Sequence, residues 1–92
     1  DTYNINNWDK DFNAKNWLKG KSFKANDVLV FQFDQLAYNV IKLDKASYDH
    51  CRTVGWHVYH ETVSFTLTRG TTYYVSGTYC LGLKMKLAVT AK

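Results

Sequence analysis

Apolar and polar residues alternate along several short stretches of the chain, the pattern of strands with one buried face. The clearest case is 83–89, where Leu83, Met85, Leu87 and Val89 are separated by Lys84, Lys86 and Ala88. In 27–33 both faces are apolar, which predicts a strand buried on both sides. The predicted strands are 27–33, 38–43, 63–67, 71–75 and 83–89, with a short strand around Phe23.

Turn and helix signals lie between these stretches. Arg69-Gly70 separates two predicted strands and predicts a hairpin, and Asn26 suits a turn position with positive φ. A short helix is predicted at 44–50 with Asp44 as its N-cap, and another turn or two of helix within 9–18. Many short strands with little helix indicate a β-sandwich or a small barrel.

The length of 92 residues predicts one domain, 1–92. The formal net charge is +4, and ten of the twelve basic residues are lysines without a long basic run. A nucleic-acid module more often shows arginine and a concentrated stripe, so we predict a solvated basic surface and no nucleic-acid partner. Weak attraction to acidic cell-wall polysaccharide stays open. No apolar run approaches the roughly 20 residues that cross a bilayer, and a secreted chain beginning at Asp1 would be a mature form.

The two cysteines, Cys51 and Cys80, could form a disulfide, belong to a metal site or remain free thiols. Neither lies in a CxxC motif, and no second Cys/His pair supports zinc. We favour a disulfide, which implies an oxidising compartment.

Catalytic and metal-binding patterns are weak. Ser76, His57 and Asp49 could be written as a triad, but no spacing or local motif supports it. The single glutamate, Glu61, excludes paired glutamates, and no paired-carboxylate pattern is evident. His57 and His60 are three apart and would point to opposite faces of a strand, so we predict ordinary exposed histidines. The chain is therefore predicted not to be an enzyme.

Residues 20–31, 67–74 and 85–89 together resemble segments of the phytocyanins, the plant cupredoxins, and among them the plantacyanins. Residues 20–31 resemble the family's G-K-x-F-x-A-G-D-x-L-V-F segment, with Asn26 in place of a glycine. Residues 67–74 resemble its L-x-x-G-x-x-Y-F hairpin, and 85–89 its M-K-I-A-V final strand. The resemblance implies an all-β, two-sheet Greek-key sandwich of cupredoxin type with one or two short helices. It also implies a Cys51–Cys80 disulfide near the metal end and secretion to the plant apoplast or cell wall.

The family's copper ligands are two histidines, a cysteine and an axial methionine or glutamine. In the register that the resemblance implies, Tyr38 and Tyr79 take the histidine positions, Ser76 takes the thiolate position, and Met85 corresponds to the axial ligand. The loop before Cys80 is about two residues shorter than the family pattern. A hydroxyl and two phenols are poor substitutes for thiolate and imidazole, so we predict that copper and other cofactors are absent. Met85 shares its predicted face with apolar residues and is expected in the core.

A retained scaffold without metal ligands predicts a non-redox extracellular binding or signalling protein, similar to nodulin-like and pollen-allergen members of the family. Tyr38 and Tyr79 are the contact candidates, with Leu36, Leu81 and Leu83 nearby. A plainer interpretation is that the rings fill the vacated metal cavity and bond each other or Ser76. Copper electron transfer through an altered site and a carbohydrate-binding or defence role are the alternatives. We expect a monomer without a membrane span, whose partner is an extracellular protein or a cell-wall glycan.

Overall fold

Two three-stranded sheets face each other in the computed structural model, which describes residues 1–82 and 84–92. In chain order the elements are β1 (Thr2–Ile5), α1 (Ala14–Leu18), β2 (Val28–Phe31), β3 (Ile41–Leu43), α2 (Lys45–Asp49), β4 (Val63–Thr66), β5 (Gly70–Val75) and β6 (Lys86–Ala91). One sheet has the order β1-β2-β4 and the other the order β3-β5-β6. The predicted all-β, two-sheet sandwich with short helices is confirmed.

Strand pairing shows that one predicted connection is wrong. β1 runs parallel to β2, and β4 pairs with β2 in the antiparallel sense. β5 pairs with β3 and β6, so the chain changes sheets between β4 and β5 and forms no hairpin at Arg69-Gly70. Gly70 has φ 112°, which permits the turn from one sheet to the other. Alternation marks the buried faces of β4 and β6, but these strands belong to different sheets and pack in the same core, so the pattern does not identify the partner strand.

Aromatic rings fill the space between the sheets. Phe31 of β2 lies 5.1 Å from Tyr74 of β5 and 5.0 Å from Trp8, measured between ring centroids. Phe65 of β4 also meets Tyr74, at 5.1 Å. These rings are almost completely removed from water, and such pairs add about 0.5–1.5 kcal/mol each beyond the burial of their area. They hold the two sheets in a fixed relation.

Burial along β2 is less symmetric than the sequence predicts. Leu29 and Phe31 are buried in the core, whereas Val28 and Val30 are only half-buried. The strand ends at Phe31, before the predicted end at residue 33.

Both helices are single short turns set by a side-chain cap. Asp44 accepts a hydrogen bond from the Ser47 N–H at 2.8 Å and caps α2, as predicted. Asn13 accepts from the Asn16 N–H at 3.0 Å, so α1 begins at Ala14, and its single turn lies within the predicted 9–18. In the described residues no helix has the length and apolar character needed to cross a membrane.

Candidate functional site

The four positions that the sequence assigns to former metal ligands come together at one end of the sandwich. Ser76 directly follows β5, and its N–H donates to the Met85 carbonyl at 3.1 Å. The Met85 N–H in turn donates to the Tyr79 carbonyl at 3.1 Å. Two backbone hydrogen bonds therefore hold the turn at 77–82 against the segment that enters β6.

Tyr38 reaches the same place from the loop between β2 and β3. Its ring centroid lies 5.5 Å from that of Tyr79, with the planes inclined by 54°. Both rings are half-buried and pack against the main core. The predicted meeting of the two tyrosines is confirmed, while their role in binding stays a prediction.

Ser76 and Met85 lie beneath the tyrosines and are completely buried. The Met85 side chain belongs to the main hydrophobic core, as predicted. The Ser76 hydroxyl has no hydrogen-bond partner among the described residues, so the predicted bond between a tyrosine and Ser76 is wrong. An unpaired buried hydroxyl is costly, which makes this oxygen the unusual feature of the site.

Asn39 organises this end, a role that the sequence analysis missed. Its Oδ1 accepts from the Gly77 N–H at 2.8 Å, and its carbonyl accepts from the Trp8 indole N–H at 2.8 Å. A Cβ added to Gly77 would lie 3.2 Å from Ile41 Cδ1, so the close approach favours glycine. Asn39 thus links its own loop to the loops that contain Trp8 and Gly77. The sequence signal for this role was the position of an asparagine next to Tyr38, a predicted ligand position.

The Cys51–Cys80 disulfide closes the site on its other side. The two cysteines are bonded, with a Cα–Cα distance of 5.7 Å, which confirms the predicted bridge. Cys80 is buried and immediately follows Tyr79, so the bridge anchors the turn that carries this ring to the end of α2.

Two leucines protrude into solvent beside the tyrosines. Leu36 is 98% exposed. Its backbone N–H donates to the Asp34 side chain, and this hydrogen bond stabilises the turn that carries Leu36. Leu81 is 76% exposed and lies two residues after Tyr79. Leu83, the third residue predicted near this surface, lies outside the described residues. We call Leu36, Tyr38, Tyr79 and Leu81 the tyrosine end.

The donor chemistry of the four positions does not match a blue-copper centre. These positions offer two phenols, a hydroxyl and a thioether, whereas such a centre needs two imidazoles, a thiolate and a weak axial ligand. Within 1–82 and 84–92, no group of three or more His, Cys, Asp or Glu side chains could hold a metal ion. Among the described residues no hydrogen-bond donor contacts the buried Ser76 oxygen.

His57 and His60 lie elsewhere, along an open groove of about 310 Å³. His57 and His60 are exposed, as predicted, but both line this groove, because their segment is irregular rather than a continuous strand. The strand geometry that would make the two side chains diverge is therefore not present at 57–60. His57 packs edge-on against Tyr59, with centroids 4.4 Å apart.

The hypothetical triad residues occupy unlike environments. Ser76 is fully buried and His57 is exposed. The Asp49 carboxylate is bound to Lys45 at 2.7 Å on the surface. A substrate cannot reach the Ser76 hydroxyl because it is buried, and the Asp49 carboxylate is already paired with Lys45. These residues therefore do not form a triad.

Comparisons with known proteins agree with this architecture. A family model described as a plastocyanin-like domain matches residues 6–82. The chain is 40% identical over 84 residues to "Basic blue protein" of Arabidopsis thaliana and 36% identical over 84 residues to "Chemocyanin" of Lilium longiflorum. Each alignment covers 87% of this chain but 64% and 66% of those proteins, so the chain spans about two thirds of their length.

Solved structures match over their whole length. Cucumber basic protein, a blue copper protein, superimposes with a TM-score of 0.84 at 29% identity, and spinach plantacyanin with 0.83 at 34%. Both comparisons cover 100% of each chain. These matches agree with the two facing sheets and with the disulfide beside the loop that follows β5. The chain therefore belongs to the plastocyanin-like domain family, in its phytocyanin branch.

Proposed function

We propose that this protein is a non-redox extracellular binding or signalling protein that contacts its partner through the tyrosine end. The observation that carries the proposal is the contact of Tyr38 with Tyr79 above a buried Ser76. These residues stand where the family resemblance places copper ligands. The scaffold is retained, while the side chains at its end have changed from metal donors to an aromatic surface.

The chemistry of the replacements argues against electron transfer. A serine hydroxyl stays protonated near neutral pH, whereas a cysteine thiolate supplies the soft, charge-donating bond of a blue-copper centre. A phenol with an ordinary pKa near 10 does not replace a neutral imidazole. All three strong ligands are changed together, which favours a protein without copper chemistry.

Exposed apolar groups favour a contact surface. Leu36 and Leu81 gain nothing from folding, because their side chains remain in water. Each lies two residues from a tyrosine of the contacting pair, so apolar and amphipathic groups are neighbours along both loops. Tyrosine combines an apolar face with a polar tip and is enriched in interfaces. Grouped exposed apolar residues are typical of binding surfaces.

The disulfide supports an oxidising, extracellular location. A role without catalysis is part of the proposal, since Ser76 is buried and the exposed histidines lack an orienting partner within hydrogen-bond distance in the described chain.

The proposal is tested by adding one carboxylate to the tyrosine end. Leu36→Asp and Leu81→Asp change solvent-exposed side chains and are expected to fold normally, as monitored by Trp fluorescence and thermal unfolding. Binding is measured on a glycan array and on a panel of purified secreted proteins. We expect at least one ligand whose binding both variants weaken about tenfold or more, the scale of losing a central interface residue.

Thr68→Asp is the matched control, because Thr68 is exposed and follows β4 at the opposite end of the sandwich. It adds the same charge and should leave binding unchanged. Loss of a glycan ligand in Tyr79→Ala as well would assign the partner to carbohydrate. Ligands that bind the leucine variants and wild type equally would place the contact surface elsewhere and contradict the proposal.

A further inference from the structure

The net charge of this protein is concentrated in one segment. Residues 10–24 contain five lysines and one aspartate, a net charge of +4, which equals that of the whole chain. The chain holds twelve basic and eight acidic residues, so the remainder has seven of each and is neutral. The basic surface is therefore local rather than general.

The fold brings one more lysine to this segment. Lys92 donates its N–H to the Phe23 carbonyl at 3.1 Å, and its carbonyl accepts from the Ala25 N–H at 3.0 Å. This parallel pairing sets Lys92 directly beside Lys24. Phe23 and Ala91 are buried while Lys24 and Lys92 are exposed, so both ammonium groups project to the same side. Adjacent strands are about 4.8 Å apart, and like charges at that spacing repel each other.

Two further lysines flank Gly20 at the end of α1. Lys21 is held in place, since its Nζ donates to the Trp17 carbonyl and lies 4.6 Å above the Trp17 ring. Trp17 stacks on Phe23 at 5.9 Å, which brings the end of α1 against the Lys24 segment. Lys19 is exposed on the other side of Gly20. We call Lys19, Lys21, Lys24 and Lys92 the basic end.

No acidic side chain of the described residues forms an ion pair with the basic end. In the described part of the chain, none of its four ammonium groups lies within 4.0 Å of a carboxylate. The nearby Asp27 is buried, and its Oδ2 accepts from the Lys24 backbone N–H at 2.9 Å. Its Oδ1 is bound by the amino group of Asp1. Four cations thus remain unpaired on one surface, at a cost in repulsion that an anionic partner would remove.

We propose that the basic end binds an acidic polysaccharide with a carboxylate on each sugar, a polyuronate. Lysine suits this partner, because an ammonium is a point charge that pairs with carboxylates along a flexible polymer. Nucleic acid is disfavoured, since Trp17 and Phe23 are buried, and half-buried Tyr3 packs against Phe23 and donates its hydroxyl to the Ser22 carbonyl. The disulfide also indicates an oxidising compartment.

A membrane surface fits less well than a polysaccharide. The large exposed apolar residues of the described chain are Leu36, Val54, Trp56 and Leu81, and none belongs to residues 15–24. Stable attachment to anionic lipid needs an apolar anchor in addition to a basic patch. The basic end supplies charge alone.

The basic end is independent of the tyrosine end. β6 connects Met85, at the tyrosine end, to Lys92, and seven residues of extended chain span about 23 Å. The longest dimension of the molecule is 29 Å, so the two surfaces lie at opposite ends. A protein held to a polymer through one end leaves the other free, and either proposal can fail without the other.

The test measures affinity for de-esterified polygalacturonate by isothermal titration, between about 50 mM and about 200 mM salt, a range in which charge-driven polyanion binding weakens strongly. The basic-end variant replaces four lysines by glutamine: Lys19→Gln, Lys21→Gln, Lys24→Gln and Lys92→Gln. Each lysine near an anionic surface is worth about fivefold in affinity, so the variant should bind at least tenfold more weakly. The affinity should also depend less steeply on salt. The slope of log K against the logarithm of the salt concentration should become shallower by about 0.7 for each lost contact.

The matched control removes the same charge from exposed residues outside 10–24 and away from Lys92: Lys42→Gln, Lys45→Gln, Arg52→Gln and Lys84→Gln. Both variants have a formal net charge of zero, so a difference between them reports the placement of charge. The control should keep most of the wild-type affinity. The double variant Lys24→Gln/Lys92→Gln changes exposed side chains only and should reproduce part of the loss if Lys21→Gln disturbs folding.

Three results would overturn the proposal. Equal losses in the two variants would show that net charge alone drives binding. Equal binding of fully methyl-esterified polymer would exclude recognition of carboxylates. Tighter binding to phosphatidylserine vesicles or to duplex DNA at the same salt, lost in the basic-end variant, would assign the surface to another polyanion. Tyr79→Ala should bind polygalacturonate like wild type, which separates this test from that of the tyrosine end.

Discussion

Replacing Ser76 by alanine should stabilise the protein, although it removes a polar side chain from the candidate site. The hydroxyl is completely buried at the end of β5 and has no hydrogen-bond partner in the described residues. A serine that served as a ligand or as part of a polar network would show the opposite behaviour. The stability of Ser76→Ala therefore tests whether the hydroxyl at this position has a polar function.

The expected size follows from two opposing contributions. An unsatisfied buried hydroxyl costs about 1–3 kcal/mol of desolvation, which alanine does not incur. The lost oxygen gives up a few packing contacts of about 0.1–0.2 kcal/mol each, or about 0.5 kcal/mol together. We therefore expect the free energy of unfolding to rise by about 1 kcal/mol, equivalent to about 4–8 °C in melting temperature for a domain of this size.

Urea denaturation monitored by the fluorescence of buried Trp8 measures this change. Ser64→Ala is the control, because Ser64 lies on β4 with its side chain in water and should change stability by less than about 0.5 kcal/mol. A loss of about 1 kcal/mol or more in Ser76→Ala would refute the reasoning, since it would mean that the hydroxyl makes a stabilising bond.

Three further predictions concern the residues that hold the site together. Cys51→Ser combined with Cys80→Ser opens a link between residues 29 apart and should lower the free energy of unfolding by about 3–4 kcal/mol in urea denaturation. A loss below about 1 kcal/mol would contradict it. Asn39→Ala removes the acceptor of a backbone N–H and should cost about 1 kcal/mol in the same assay, whereas Asn39→Asp, which keeps an acceptor oxygen, should cost less. The Ser47 N–H holds the pKa of Asp44 below its ordinary value of 3.8, so this stabilisation is present at neutral pH and is lost as the pH falls through the folded-state pKa. Between neutral and strongly acidic pH, Asp44→Asn should therefore lose less stability than wild type, and parallel curves would refute this cause.

Much of the local structure could be predicted from the sequence because its signals are local. The alternation along β4 and β6 identifies each buried face, and the Asp44 cap lies three residues before the N–H that it binds. Asn26 has φ 78°, as its turn position predicted. The meeting of Tyr38 and Tyr79 was also predicted, but only through the resemblance to a family with a known arrangement.

The remaining features depend on contacts between distant segments. The partner of β5 could not be read from its own pattern, because strands of both sheets bury similar faces in one core. The Ser76 hydroxyl has no hydrogen-bond partner in the described residues. This depends on which side chains from other elements pack around it, and not on its neighbours in sequence. Lys24 and Lys92 are 68 residues apart, and only the pairing of Phe23 with Ala91 makes them neighbours.

The central claim is that the end of this phytocyanin carries an aromatic contact surface in place of a copper centre. Titration of Cu(II) into the disulfide-bonded protein, followed by visible absorption and electron paramagnetic resonance, tests it most directly. A variant with His57→Asn and His60→Asn removes the exposed imidazoles of the open groove. We expect no intense copper–thiolate absorption, and any weak copper signal should decrease in this variant. An intense blue absorption that persists without these two histidines would show a copper centre in the protein and contradict the account.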